Sequence, residues 1–219
     1  MKKDRKRLLI VDDEKPMLDA LVRSFSVAQR FEFETTALLD LKDVVSQELE
    51  DEEFDVCITD LGFGPSEREV DYHGFLFIAM IARNSLNYEV MRIVYSGHPE
   101  IQNVVRAMQL GATAFVSKSE CPPHMLVERV EAMLIDRQER EVQNRLVYEF
   151  LGAQHEELST RYPGRVVAIA VSEAGPMVVA DGRSRLDVLL KYANWRRSQS
   201  VVRWPVVPHL HIVPPISSR

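Results

Sequence analysis

The sequence predicts an α/β protein: a five-stranded parallel sheet covered by helices on both faces, then a helical connection and a small α+β unit. Three observations predict this. Short apolar runs alternate five times with segments of helical spacing. Four of the five strand-like runs end in a polar or charged residue: Asp12-Asp13, Asp60, Ser96 and Lys118. Beyond about residue 160 the pattern changes to strand, turn, strand and helix.

The first run, "RLLIV" (7–11), stops at Asp12-Asp13. Residues 15–29 then place Met17, Leu18, Leu21, Val22 and Phe25 on helical spacing. "FEFETT" (31–36) alternates with period 2, as an edge or half-buried strand does, and helical spacing returns over 38–49. "FDVCIT" (54–59) is the third strand, 74–84 an apolar helix, and "VMRIVYS" (90–96) the fourth strand. The helix over 100–111 is closed by Gly111, "AFVSK" (114–118) is the fifth strand, and Pro123 suits the first turn of the next helix. Helical spacing then runs on through 126–158 with no Pro and only Gly152, as one long helix or two in tandem. Its apolar positions Val130, Leu134, Val142, Leu146 and Phe150 are expected to pack on the second domain, with a homodimer through this helix as the alternative.

In the last part, Pro163-Gly164 makes a turn, "RVVAIAV" a strand, "EAGP" a hairpin turn and "MVVA" the returning strand. Residues 184–199 form a helix whose start carries Ser184 and Asp187, a box-like cap. "VVRWPVVPHLHIV" supplies one or two closing strands, pushed to an edge by Pro205 and Pro208. His209 and His211 share a strand face but lack an evident third ligand, so they are read as structural. Trp195 and Trp204 are read as core or interface anchors.

A length of 219 residues accommodates two domains: residues 1–138, a helical linker over 139–159, and 160–219. Residues 1–140 carry 17 Lys+Arg against 26 Asp+Glu, while 141–219 carry 10 against 7, a mildly basic end that falls short of a nucleic-acid footprint. The two cysteines, Cys57 and Cys121, form no metal-binding spacing. No stretch approaches the roughly 20 apolar residues that span a bilayer. The expected setting is the cytoplasm, without membrane insertion.

In a doubly wound sheet, ligands bind outside the carboxyl ends of the strands. Three carboxylates crowded there repel one another, and a hard divalent cation such as Mg²⁺, with Mn²⁺ able to substitute, relieves that repulsion. Lys118 and the Ser96 hydroxyl suit phosphate oxygens, and the carboxylate of Asp60 can accept a phosphoryl group as an acyl phosphate. His98, two residues after Ser96, lies where it could tune the rate of phosphoryl loss.

"LLIVDDE" (8–14), "FDVCITD" (54–60), "IVYSG" (93–97) and "GATAFVSK" (111–118) resemble, in order and spacing, the receiver domain of two-component response regulators. The resemblance implies a flavodoxin-like (βα)5 fold. It also implies Mg²⁺ on Asp12, Asp13, Asp60 and the backbone carbonyl of Gly62, with Asp60 as phospho-acceptor. Ser96 and Phe115 become the switch pair, and Lys118 the phosphate-binding lysine. The chain departs from that family in a long loop, "LGFGPSEREVDYHG" (61–74), and in Ser119, where proline is common. The implied partner is a sensor histidine kinase or phosphotransfer protein, and the chain is expected to be a phospho-accepting signalling protein rather than an enzyme.

The stretch from Tyr162 through Leu190 resembles a small, uncharacterised prokaryotic domain family, a likeness that implies no activity. Binding of a protein target is the expected output. DNA is not the expected partner, because Arg183, Arg185, Lys191, Arg196 and Arg197 read as a solvated face. A DNA-binding output through that helix, or an enzymatic output, is the alternative.

Overall fold

The computed structural model describes residues 3–40, 43, 52–62, 73–83, 89–172, 174–198 and 209–214. The chain divides into two compact units, residues 1–133 and 134–219.

The first unit is built on a parallel sheet. Strand β1 spans Asp4–Val11, β2 Phe31–Leu38, β3 Val56–Thr59, β4 Met91–Ser96 and β5 Ala114–Ser117. Their order is β2-β1-β3-β4-β5, all parallel. Helix α1 spans Lys15–Ser26, α2 His73–Arg83 and α3 Ile101–Gln109. Helix α4, Pro123–Ala153, begins here and runs through the division into the second unit. Leu8, Leu9, Ile10 and Val11 are all at most 1% exposed, so both faces of the sheet are covered. On one face Leu9, Val11 and Cys57 pack with Phe77 and Ile81 of α2, and Leu61 and Val94 pack with Phe75, Ile78 and Ala107.

β3 begins two residues later than expected, at Val56, and β7 takes in Gly175 and Pro176, expected in the turn. Two boundaries in the β1–β2 pair differ as well. β1 begins at Asp4, three residues before the apolar run, because Asp4, Arg5 and Lys6 pair in register with Phe31, Glu32 and Phe33 of β2. Leu38, read from its spacing as the start of a helix, closes β2 opposite Val11 instead. The rest of the helix expected over 38–49 lies largely outside the described residues. β2 sits at the sheet edge, as its period-2 pattern implies.

The second unit has a three-stranded antiparallel sheet in the order β7-β6-β8, with β6 Val166–Ser172, β7 Gly175–Gly182 and β8 His209–Ile212. Helix α5, His155–Arg161, follows α4 after Gln154, so the long helical stretch is two helices in tandem. Helix α6 spans Arg185–Ser198. One face of the sheet packs Val147, Phe150 and Leu151 of α4 on Val167, Ile169 and Val213. The other packs Val188, Tyr192 and Trp195 of α6 on Val166, Ala168 and Ala170. The expected stripe along α4 is interrupted, because Val142 is 46% exposed. Half of the box-like cap of α6 forms: the Asp187 N–H donates to Ser184 Oγ at 3.2 Å, while the Asp187 carboxylate accepts the N–H of Arg183, one residue earlier, at 3.4 Å. His209 lies edge-on to Tyr148, with ring centroids 5.5 Å apart. Trp204, Pro205 and Pro208 lie outside the described residues. Among the described residues no helix is long and apolar enough to cross a membrane.

Candidate functional site

The site forms because β1 and β3 are parallel neighbours in register. Val11 pairs with Thr59, so the residues that follow each strand, Asp12 and Asp60, emerge side by side at one sheet edge. β5 ends at Ser117, and Lys118 follows it, its N–H donating to the Ser96 carbonyl at the end of β4 at 2.9 Å. Four consecutive sheet positions therefore deliver their polar ends to one place.

The side chains meet there. Lys118 Nζ lies 2.7 Å from Asp60 Oδ2, 2.9 Å from Asp12 Oδ2 and 3.5 Å from Glu14 Oε2. Asp60 Oδ1 accepts the Leu61 N–H at 2.6 Å, so both of its carboxylate oxygens are held and its plane is fixed. Asp12 Oδ1 accepts the Glu14 N–H at 3.0 Å. Asp12 and Asp60 are 1% and 8% exposed. Burial pushes the Asp12 carboxyl from 3.8 up to about 6, against the opposing pull of Lys118. Burial would lower the Lys118 pKa, but Asp60 and Asp12 more than offset it and keep the ammonium charged.

Ligand oxygens of Asp12, Asp13 and Asp60 all lie within 4.8 Å of one another, the sole such group of three or more metal-capable side chains among the described residues. Three hard carboxylate donors, two of them buried, fit a small divalent cation. Gly62 is half-buried two residues after Asp60.

Ser96 is fully buried at the end of β4, and its Oγ accepts the His98 N–H at 3.3 Å. The exposed His98 ring is 3.9 Å from Glu100. Phe115 is half-buried on β5 opposite Val94 and packs against the cluster of Leu61, Phe75 and Ile78. Asp12, Asp13, Asp60 and Lys118 thus converge directly, while Ser96 adjoins them through the backbone of Lys118.

Two residues of the site were not singled out from the sequence. Glu14 reaches Lys118, and the third acid of "DDE" was its one signal. Gly74 opens α2 against the backbone of Asp60 and Leu61: a Cβ there would fall onto the Asp60 carbonyl oxygen and 2.7 Å from Leu61 Cα. Most of the long loop before it, residues 63–72, lies outside the described residues.

Comparison with known proteins agrees with this architecture. A response regulator receiver domain (CheY-like) from Methanospirillum hungatei is 24% identical, with a TM-score of 0.52 over 63% of this chain and 99% of that one. The response regulator DrrB of Thermotoga maritima, an OmpR/PhoB homologue, is 22% identical, with a TM-score of 0.50 over 61% of this chain and 54% of that one. At these identities the likeness speaks for the fold. No curated protein matches the chain. The response regulator receiver domain family matches residues 8–131, more than half of the chain and all of the strand ends described above. The chain belongs to that family, the receivers of two-component signalling.

Proposed function

We propose that Asp60 accepts a phosphoryl group from the phosphohistidine of a sensor kinase or phosphotransfer protein, and that the resulting acyl phosphate controls a protein-binding output in residues 134–219. The observation that carries this reading is the convergence on Asp60 of one ammonium at 2.7 Å and two further carboxylates within 4.8 Å. An oxygen of the Asp60 carboxylate attacks phosphorus as the P–N bond to the donor imidazole breaks, and the departing nitrogen takes up a proton. Lys118 moves from Asp60 Oδ2 to a phosphoryl oxygen and stabilises the charge there. Asp12, Asp13, Asp60 and the Gly62 carbonyl would hold Mg²⁺, which when bound supplies neutralisation of the phosphoryl oxygens.

Ser96 and Phe115 serve as the switch. The Ser96 hydroxyl now accepts from its own loop, and turning toward the phosphoryl group breaks that bond. Phe115, on the neighbouring strand opposite Val94, changes its packing in response, which changes the surface made by α3, β5 and the start of α4. His98 meets the exposed side of the phosphoryl group and tunes its hydrolysis; equal decay of the phosphorylated protein with and without His98→Ala would count against that role.

With Mg²⁺ and a small phosphodonor, the protein is expected to gain one phosphoryl group by intact mass. Asp60→Asn is expected to gain none, and chelation of the metal is expected to stop the reaction. Failure of the wild type to be modified by any donor or kinase would refute the reading.

A further inference from the structure

Glu14 occupies the N-cap position of α1, yet its side chain makes no cap hydrogen bond. The short side chains of Ser, Thr, Asp and Asn cap the free N–H groups of a first turn, and the longer Glu is not among them, so its carboxylate is available for another partner. Here the carboxylate turns to Lys118 Nζ at 3.5 Å. Its backbone is fixed for this by the hydrogen bond from its N–H to Asp12 Oδ1. Of the three carboxylates that share Lys118, Asp12 and Asp60 have side chains 2% and 10% exposed, whereas Glu14 is 65% exposed. Glu14 is therefore the acceptor on the solvent side of the lysine, where a phosphorylated donor approaches.

We propose that Glu14 is a charge gate of the acceptor site: its carboxylate holds the outer side of Lys118 and repels an approaching phosphate, which sets how readily a donor engages the lysine. This rests on the assignment of Asp60 as acceptor and adds a positioning residue that acts through Lys118. An anionic donor must displace the Glu14 contact before Lys118 can bind its phosphoryl oxygens. Because the competing carboxylate is exposed, its effect is screened by salt, unlike that of the buried pair.

The test is the concentration dependence of phosphorylation of the full chain by a small anionic acyl phosphate, at low and high ionic strength, for wild type and Glu14→Gln. The variant is expected to lower the half-saturating donor concentration about 3- to 10-fold at low salt, with the maximal rate changed less and the difference shrinking at high salt. Glu14→Asp, which keeps the charge on a shorter arm, is expected to fall between the two. Thermal melts check that the variants are folded. Identical saturation and salt dependence in wild type and Glu14→Gln would overturn the gate while leaving Asp60 as acceptor. A wild type that accepts no phosphoryl group would overturn both.

Discussion

Asp12 holds its proton more tightly in the folded protein, up to about pH 6, than in the unfolded chain, where its pKa is 3.8. Below about pH 4 both states are protonated, and this preference contributes fully to stability. As pH rises through 4 to 6 the unfolded chain ionises first, so the contribution is lost, on the order of 2–3 kcal/mol by pH 7 in the metal-free protein. A cation that uses ionised Asp12 must compete with that proton. Mg²⁺ affinity is therefore expected to drop toward tenfold per pH unit below about 6, as measured by calorimetric titration at pH 5, 6 and 7.5; a flat affinity would remove Asp12 from the ligand set. Gly74→Ala tests the other side of the site. The added methyl group meets backbone rather than a movable side chain. A cost of about 1–3 kcal/mol in urea unfolding is expected, with slower phosphorylation because the Asp60 peptide must shift. Asp12, Asp60 and Lys118 were legible in the sequence because a charge that ends an apolar strand is visible in one dimension. Glu14 and Gly74 were not, since one depends on where an exposed side chain turns and the other on the approach of a distant helix.

Elements contribute through contacts that their own sequences do not announce. Glu131, 5% exposed on α4, accepts the N–H of Arg30 at 2.6 Å and of Phe31 at 3.2 Å, so a helix near the end of the first unit fixes the start of β2. Glu131→Ala removes the acceptor from the buried Phe31 N–H and the part-buried Arg30 N–H. A loss of about 2–4 kcal/mol is expected, and less for Glu131→Gln, which keeps an acceptor oxygen; matched urea melts would show whether the two variants separate. Periodicity alone could not find this bond, because a Glu on a helix reads as a solvent-facing residue. The same limit explains the misplaced start of β1. Asp4, Arg5 and Lys6 are polar, and their strand character comes from backbone pairing with β2 rather than from burial. Leu38 fits a helical or an extended pattern equally well, and the eight-residue ladder with β1 decides between them.

For the molecule as a whole, the order of the five parallel strands was readable because each apolar run is short and is followed by turn or helix signals. The division was harder to read, because it falls inside a helix at Met133/Leu134 rather than in a loop. A change of texture near residue 160 marks where the second sheet begins but misses the part of α4 that covers it. Val147, Phe150 and Leu151 close one face of that sheet. A fragment of residues 134–219 is expected to unfold cooperatively in thermal circular dichroism. One of 160–219, with Val167, Ile169 and Val213 uncovered, is not; a sharp transition in the shorter fragment would show that α4 is dispensable to the second core.

Helix α4 also has an uneven grip on its surroundings. Leu126, Val127, Val130, Glu131 and Leu134 are buried, and no residue from 135 to 146 is, until Val147 is again. Amide hydrogen exchange along this single helix should therefore be slow at both ends and fastest in the middle, an inversion of ordinary end fraying. Its two ends would report the opening of two different cores, so one helix would carry two separate protection factors.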